Sequence, residues 1–201
     1  MEERAVACLG DSNTYGYDPR SYFGGRYPKD VRWTGRLKKC GWTVFNYGTN
    51  GLAVSNETAH SVLVQDLLIS APLEAAVIML GSNDLLMGLS ARETAASMEK
   101  LVTRILAEKA AETLILVAPP VFTRGLWVSS ESQIEECRQL AKEYRRLAAE
   151  KDILFADAGS WEIPLFMDGV HFTEEGHRVF AEKLGDVLET AVSRGGALPD
   201  V

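Results

Sequence analysis

The chain has 201 residues, of which 46% are hydrophobic and 24% charged, and its formal net charge is -7 at pH 7. This length fits one domain over residues 1–201, with room for a core that needs neither disulfides nor metal. The acidic balance, without any lysine- or arginine-rich block, argues against nucleic acid or an anionic membrane as a partner.

Three widely spaced cysteines, Cys8, Cys40 and Cys137, form no CxxC pair. They predict neither a disulfide framework nor a zinc site, and Cys8 and Cys137 lie in apolar stretches where small buried residues are expected. The sequence carries no apolar segment of signal-peptide length and no stretch long enough to span a bilayer. We therefore expect a cytoplasmic protein.

The first apolar run starts at Val6 and breaks into Gly10-Asp11-Ser12-Asn13. This pattern is typical of a buried strand that ends in a tight polar turn. Open α/β sheets place their chemistry at such strand ends. Ser12 is therefore a candidate nucleophile, while Asp11 and Asn13 are expected to bond to local backbone groups.

Strands and helices alternate along the rest of the chain, with two longer loops at residues 17–29 and 121–128. Ser90 and Ser130, each followed three residues later by Glu or Gln, predict two capping boxes. The later strands are predicted over residues 43–47, 75–80, 113–118 and 153–156. Helices are predicted over residues 31–37, 55–70, 90–109 and 173–192, with another beginning at Ser130. The tail, residues 194–201, is expected to fray.

This alternation predicts an α/β protein, a three-layer α/β/α sandwich on a parallel five-stranded sheet. Right-handed crossovers place the carboxyl ends of all parallel strands on one edge of the sheet. The turns at Ser12, Gly48 and Asn83 each follow a predicted strand. We therefore expect these three turns to meet at that edge.

A base is expected from the segment that enters the last helix. Asp168 and His171 lie three residues apart across a glycine turn, so the carboxylate can accept from imidazole Nδ1 and leave Nε2 as the base. With Ser12 they make a nucleophile, a base and an orienting acid. Asp157, at the end of the fifth strand, is a rival orienting acid, although a loop-bonding role is favoured for it.

Acyl transfer also needs donors for a developing oxyanion. The backbone N–H of Ser12, the backbone N–H of Gly48 and the side-chain amide of Asn83 are available at the predicted edge. Asn83 has a simpler interpretation as a turn residue that bonds to nearby backbone, and Asp84 is interpreted in that way.

Four separated blocks resemble those of the SGNH (GDSL) hydrolases, in the same order over nearly the whole chain. They are residues 10–13, 46–48, 81–84 and 168–171. The family's usual leucine after the serine is Asn13 here. Together with Thr14-Tyr15-Gly16-Tyr17 and with residues 30–35, this variant is most similar to the arylesterase/acyltransferase branch.

The resemblance implies a flavodoxin-like fold and a serine esterase that needs no metal or other cofactor. It implies that Ser12 is the nucleophile and an oxyanion donor, with Gly48 and Asn83 as the other donors. His171 is then the base and Asp168 its partner.

The implied substrates are short acyl esters of aryl, alkyl or sugar alcohols, hydrolysed through an acyl-enzyme. Transfer of the acyl group to an alcohol is an alternative within the enzyme class. A non-catalytic module that binds esters or carbohydrates is an alternative from another class, although such a module has no need of a base. A small-molecule ester is the expected partner, and a homo-oligomer is left open.

Several further residues have structural or pocket-lining interpretations. His60 lies mid-helix without a nearby acid and is expected to be structural. His177, six residues after His171, is expected at the surface because a regular helix turns it to a different face. Candidates to line an acyl or alcohol pocket, with plain packing as the alternative, are Tyr15, Tyr17, Trp33 and Trp127.

Overall fold

A computed structural model describes residues 4–21, 23–38 and 41–193. Five strands form one parallel sheet in the order β2-β1-β3-β4-β5. The strands are β1 Arg4–Gly10, β2 Trp42–Gly48, β3 Ala75–Met79, β4 Thr113–Ala118 and β5 Leu154–Asp157. The predicted parallel five-stranded sheet is therefore confirmed.

Helices cover both faces of this sheet. They are α1 Ser12–Tyr15, α2 Trp33–Leu37, α3 Glu57–Ser70, α4 Ser82–Leu86, α5 Ala91–Glu108, α6 Glu131–Lys151 and α7 Glu174–Ser193. Both predicted capping boxes are present, at Ser90 with Glu93 and at Ser130 with Gln133. No helix within the described ranges is both long and apolar enough to cross a bilayer.

The core forms two layers because successive strand residues face opposite sides of the sheet. On β1, Ala7 and Leu9 belong to the cluster under α3, α5 and α6, whereas Val6 and Cys8 belong to the cluster under α2 and α7. All five residues of β3 are buried, as expected for a parallel strand that is covered on both faces. This packing fixes the strand ends that carry the site.

The cysteine interpretation holds for the two cysteines that the structure describes. Cys8 and Cys137 are free and buried. Burial raises the pKa of the Cys137 thiol to about 12, so it stays protonated and unreactive at neutral pH. Cys40 and the tail at residues 194–201 lie outside the described residues.

The expectation that His177 lies at the surface is wrong, because its side chain is 0% exposed. The helix does turn it away from His171, but Tyr27 and Phe172 pack edge-on against that face. The ring also accepts a hydrogen bond at Nδ1 from the backbone N–H of Trp33, at 3.4 Å. His177 therefore joins α7 to α2 in the interior.

Candidate active site

The strand register brings the three predicted turns together. Gly10, the last residue of β1, pairs with Gly48 on β2 and with Met79 on β3. Because β1 lies between β2 and β3, the turn after Gly10 has a neighbouring turn on each side. Ser12 thus lies between Gly48 on one side and Asn83, two residues after Gly81, on the other.

Ser12 opens a short helix rather than a simple turn. Asp11 caps this helix by accepting a hydrogen bond from the Asn13 N–H at 3.0 Å, as predicted for a local backbone bond. The first N–H groups of a helix have no intrahelical acceptor, so the Ser12 N–H remains available as a donor. A Cβ on Gly48 would lie 2.1 Å from the backbone nitrogen of Tyr15, so α1 packs on β2 only because Gly48 lacks a side chain.

Ser12, His171 and Asp168 form a continuous chain of hydrogen bonds. His171 Nδ1 lies 2.8 Å from Asp168 Oδ2, and His171 Nε2 lies 3.0 Å from Ser12 Oγ. Because the carboxylate accepts from Nδ1–H, Nε2 is left to accept the Ser12 hydroxyl. The structure therefore joins a hydroxyl and an imidazole that are 159 residues apart.

Asp168 is held as an ionised acceptor. Its Oδ1 accepts from the backbone N–H groups of Val170, at 2.9 Å, and of His171, at 3.0 Å. Burial opposes the charge, but these bonds and the bond from the His171 ring outweigh it and lower the pKa of the Asp168 carboxyl. The acid therefore remains charged at neutral pH beside the imidazole.

A second buried carboxyl lies beneath the serine. Burial raises the pKa of Asp11 to about 6, although the Asn13 N–H and the nearby His171 act in the opposite direction. Asp11 has its polar partners in the serine turn and in Ser82 of α4. It thus links the turn of the nucleophile to the turn that carries Asn83.

The remaining predicted oxyanion donors each have a partner already. The Gly48 N–H donates to Asn46 Oδ1 at 2.9 Å, and Asn83 Nδ2 donates to the Leu52 carbonyl at 3.0 Å. The second hydrogen of the Asn83 amide is still free to donate, since an amide nitrogen carries two. Sequence reasoning missed the role of Asn46, although an Asn two residues before a turn glycine is a recognisable side-chain-to-backbone pattern.

The sequence model of the GDSL-like lipase/acylhydrolase family matches residues 8–179. The chain belongs to this family. The native aryl esterase of M. smegmatis is 28% identical with a TM-score of 0.81, over 93% of this chain and 99% of its own. A carbohydrate acetylesterase family member from Sinorhizobium meliloti is 29% identical with a TM-score of 0.82, over 94% and 99%. Comparison with curated protein sequences gave no match.

These comparisons confirm the resemblance to SGNH hydrolases of the arylesterase branch, and the chain is a hydrolase of the esterase or acylhydrolase type. A third structure, Est24, a carbohydrate acetylesterase from Sinorhizobium meliloti, is 25% identical with a TM-score of 0.80 over 93% of this chain and 99% of its own. The fold described above is thus the fold of known esterases.

Asn13, the position at which this GDSL-family chain departs from the usual leucine, does not bond locally as expected. Its Nδ2 donates to the Val170 carbonyl at 3.1 Å, and its Oδ1 accepts from the Phe172 N–H at 2.9 Å. Asn13 therefore holds the residues on both sides of His171. No local signal reveals this contact, because the partners lie 157 and 159 residues away.

The loop at residues 121–128 also holds the segment that carries the acid and the base. Backbone N–H groups of Thr123, Leu126 and Trp127 donate to the carbonyls of Gly169, Met167 and Asp168, at 3.0–3.2 Å. A Cβ on Gly125 would lie 2.4 Å from the Asp168 carbonyl carbon, so the contact requires a glycine. Of this loop, only Trp127 was predicted from the sequence to have a place near the site, as a candidate to line a pocket.

Two of the four candidate pocket aromatics lie at His171. The ring centroids of Tyr17 and Trp127 are 4.7 and 4.9 Å from that of His171, and Trp127 is 51% exposed. Trp33 is instead a core residue, whose Nε1–H donates to the Asn13 carbonyl at 2.9 Å. Tyr15 lies beneath the Arg26 guanidinium at 4.0 Å.

The alternative residues take structural places. Asp157 accepts from the Gly159 N–H at 2.9 Å, which confirms the loop-bonding interpretation. Asp84 bonds to backbone, but to the distant N–H groups of Val54 and Ser55 at 2.9 and 2.8 Å rather than to its own turn. His60 is buried and its Nε2 bonds to the Val54 carbonyl at 2.7 Å.

Proposed function

We propose that this chain is a serine esterase that hydrolyses small acyl esters, of the acetyl type, through an acyl-enzyme on Ser12. The observation that carries the proposal is the chain of hydrogen bonds from Asp168 through His171 to Ser12, at 2.8 and 3.0 Å. A nucleophile within reach of a base that is itself oriented by an acid is the arrangement that nucleophilic catalysis requires.

In the first step, Ser12 Oγ forms a bond to the ester carbonyl carbon while its proton passes to His171 Nε2. The carbonyl π electrons move to the oxygen, which becomes an oxyanion. Asp168 stabilises the imidazolium that forms, and its lowered pKa keeps it ionised for that purpose.

The oxyanion is held by the Ser12 N–H, the Gly48 N–H and the second amide hydrogen of Asn83. Gly48 shares its hydrogen between Asn46 Oδ1 and the oxyanion, since one N–H can bond to two acceptors at once. Three donors at fixed strand ends stabilise the transition state without reorganising during the reaction.

Collapse of the intermediate breaks the carbon–oxygen bond to the alcohol, which leaves with the proton from His171. Water then attacks the acyl carbon and gives its proton to His171, and collapse releases the acid and restores Ser12. Every proton and electron pair in this sequence has a carrier among the named residues. We therefore propose a metal-independent reaction, and EDTA should leave turnover unchanged.

The proposed substrates are short acyl esters of aryl, alkyl or sugar alcohols. Aryl and carbohydrate esterase names among the structural neighbours support both kinds of alcohol. Trp127, Leu126 and Met167 are 51%, 77% and 69% exposed, on segments that are hydrogen-bonded to each other next to His171. This apolar surface lies where the leaving alcohol would receive its proton.

The same surface favours a second candidate, transfer of the acyl group to an alcohol. An alcohol bound there would take the place of water in the second half of the reaction. The ratio of new ester to free acid, formed in water that contains an added alcohol, measures this activity.

p-Nitrophenyl acetate tests the proposal. We expect a burst of p-nitrophenol equal to the enzyme concentration, and a covalent adduct on Ser12 after fluorophosphonate treatment. Ser12→Ala should give neither the burst nor the adduct. Its matched control, Ser97→Ala on α5, should behave like the unmodified chain. Binding of the ester without turnover, and without an adduct, would instead identify a non-catalytic binding module.

A further inference from the structure

A cavity of about 230 Å³ lies beside the edge strand β2, apart from Ser12 and His171. The segment that leads into α2, together with α2 itself, forms its other wall. Its polar lining consists of the cations Arg26, Lys29, Arg32 and Lys38 and the side chains of Thr34 and Asn46. This volume is several times the roughly 30 Å³ that one water molecule occupies in the liquid.

The charge of this cavity is opposite to that of the chain, whose formal net charge is -7. None of the described residues that line it is acidic, and within the described ranges none of its four cations has a carboxylate in an ion pair. Surface arginines elsewhere, such as Arg146 and Arg178, each pair with two glutamates. The cavity therefore has uncompensated positive charge.

Arg32 is the most buried of these cations. Its Nε is buried and has no hydrogen-bond partner among the residues that the structure describes. Its stem packs closely on the serine helix, since a Cβ on Gly16 would lie 2.3 Å from Arg32 Cδ. Because Nε is enclosed and makes no hydrogen bond within the described part of the chain, the terminal Nη groups of Arg32 are the atoms through which an anion in the cavity would bind this cation.

Thr34 adds a buried neutral donor. It is 4% exposed, and its hydroxyl accepts a hydrogen bond from Asn46 Nδ2 at 2.8 Å. The hydroxyl hydrogen is therefore left to donate. The residues that line the cavity thus offer guanidinium and ammonium cations together with a hydroxyl donor, which are the groups that bind the several acceptor oxygens of a phosphate.

We propose that this cavity binds a small oxyanion of the phosphate type. The anion supplies the missing counter-charge for Arg26, Lys29, Arg32 and Lys38 and accepts hydrogen bonds from Arg32 and Thr34. It is either a free inorganic anion or a phosphate group carried on the alcohol part of an ester; only the second source rests on the proposed esterase function.

One side chain connects this cavity to the proposed oxyanion donors. Asn46 lines the cavity, and its Oδ1 accepts from the Gly48 N–H at 2.9 Å. Its Nδ2 also donates to the Thr14 carbonyl in the serine helix, at 2.7 Å. An anion beside Asn46 is thus separated by a single side chain from the Gly48 N–H, a proposed oxyanion donor.

Calorimetric titration with inorganic phosphate, at constant pH and ionic strength, tests the binding directly and needs no turnover. We expect one site per chain, and about tenfold weaker binding in Arg32→Gln and in the double variant Lys29→Gln/Lys38→Gln. Arg92→Gln is the matched control for Arg32→Gln, because exposed Arg92 lies on α5, across the sheet from the cavity, and each of these two substitutions removes one positive charge. The double variant keeps the test open if Arg32→Gln does not fold.

Acetate esters of a neutral alcohol and of a phosphate-bearing alcohol distinguish the two sources. A lower KM for the phosphate-bearing ester, which is lost in Arg32→Gln, assigns the cavity to the substrate. Equal KM values together with phosphate binding in the titration assign it to a free anion. The proposal is overturned if phosphate does not bind at millimolar concentration, or if Arg32→Gln and the lysine double variant bind it as well as Arg92→Gln does.

Discussion

Two regions of this esterase-family chain hold the proposed catalytic groups, and they are fixed in different ways. Ser12, Gly48 and Asn83 follow three adjacent strands whose hydrogen-bonded register sets their spacing. Asp168 and His171 lie outside the sheet, in a turn where the Phe166 N–H donates to the His171 carbonyl at 2.7 Å. The first region is positioned by secondary structure and the second by individual polar contacts.

This difference shows where the site depends on single residues. The turn that carries Asp168 and His171, called here the acid–base turn, is held by backbone bonds from the loop at residues 121–128 and by the side chain of Asn13. The two regions meet at the hydrogen bond between Ser12 and His171. Substitutions of Ser12 or His171 at the meeting point, of Asn83 on the sheet side, and of Asn13 on the loop side should therefore differ in which property they change and in how strongly they change it.

Breaking the meeting point should have the largest effect. Ser12→Ala and His171→Ala should each lower kcat for p-nitrophenyl acetate on the order of 10⁴-fold or more, because each removes half of one proton-transfer unit. The double variant should be no slower than either single variant, since the two groups act together. Independent, additive losses in the double variant would contradict the shared role.

On the sheet side, Asn83→Ala should lower kcat on the order of 10²-fold with KM little changed, because it removes one oxyanion donor. Steady-state kinetics on the same ester measures this. Asn56→Ala is the matched control, since Asn56 is exposed and makes no side-chain cap bond at the start of α3. Turnover of Asn83→Ala equal to that of Asn56→Ala would remove Asn83 from the proposed site.

On the loop side, Asn13→Leu should displace His171 without removing any reacting group. Leucine leaves the Val170 carbonyl and the Phe172 N–H without their buried partner, so the free energy of unfolding should fall by about 2 kcal/mol. We expect kcat to fall about tenfold with KM unchanged, because small displacements of a catalytic base lower the rate. Urea unfolding and steady-state kinetics in buffer, where the variant is still folded, measure the two effects.

The outcome for Asn13 shows which contacts hold the turn that carries Asp168 and His171. If Asn13→Leu matches the unmodified chain in both stability and kcat, the loop at residues 121–128 positions His171 by itself. In that case Gly125, where a Cβ would lie 2.4 Å from the Asp168 carbonyl carbon, becomes the residue on which the acid–base turn depends.

The same division explains what the sequence could reveal. Strand ends are visible in a sequence because apolar runs and turn residues are local, and parallel topology then brings Ser12, Gly48 and Asn83 to one edge. Asp168 and His171 were also recognisable, because they lie only three positions apart in the sequence. The helical form of the serine turn was not predicted, although its cap, Asp11, was identified as a backbone-bonding residue.

Apart from the pairing of Ser12 with His171, contacts between distant segments could not be predicted. The position of β1 between β2 and β3 follows from tertiary packing and no local pattern encodes it. Asn13 was expected to bond to local backbone groups. Its side chain instead bonds to residues more than 150 positions later, which no local pattern could indicate. His177 was placed at the surface because helix geometry gives the direction of a side chain but not what covers it; Trp33 and Tyr27, far away in sequence, do so.

His177 gives the smallest expected effect on activity, because it acts on stability alone, through the packing of α7 against α2. Burial, together with Arg36 and Arg32, lowers the pKa of His177 from 6.5 to about 3. Between these values the unfolded chain binds a proton that the folded chain does not. Stability should therefore fall as the pH falls below 6.5, by up to about 1.4 kcal/mol per pH unit, and should be unaffected by this group above pH 7.

Comparison with His177→Gln isolates this contribution. Asp11 has the opposite sign, because its pKa is raised from 3.8 to about 6 and the folded chain holds its proton more tightly in that range. Asp11 is present in both proteins, so its effect cancels in the difference between them. Urea unfolding at several pH values from 7.5 to 4.5 should give curves that converge as the pH falls, because only the unmodified chain loses the His177 contribution. Parallel curves would show that His177 takes up a proton in the folded protein, and that the interior between α2 and α7 admits charge.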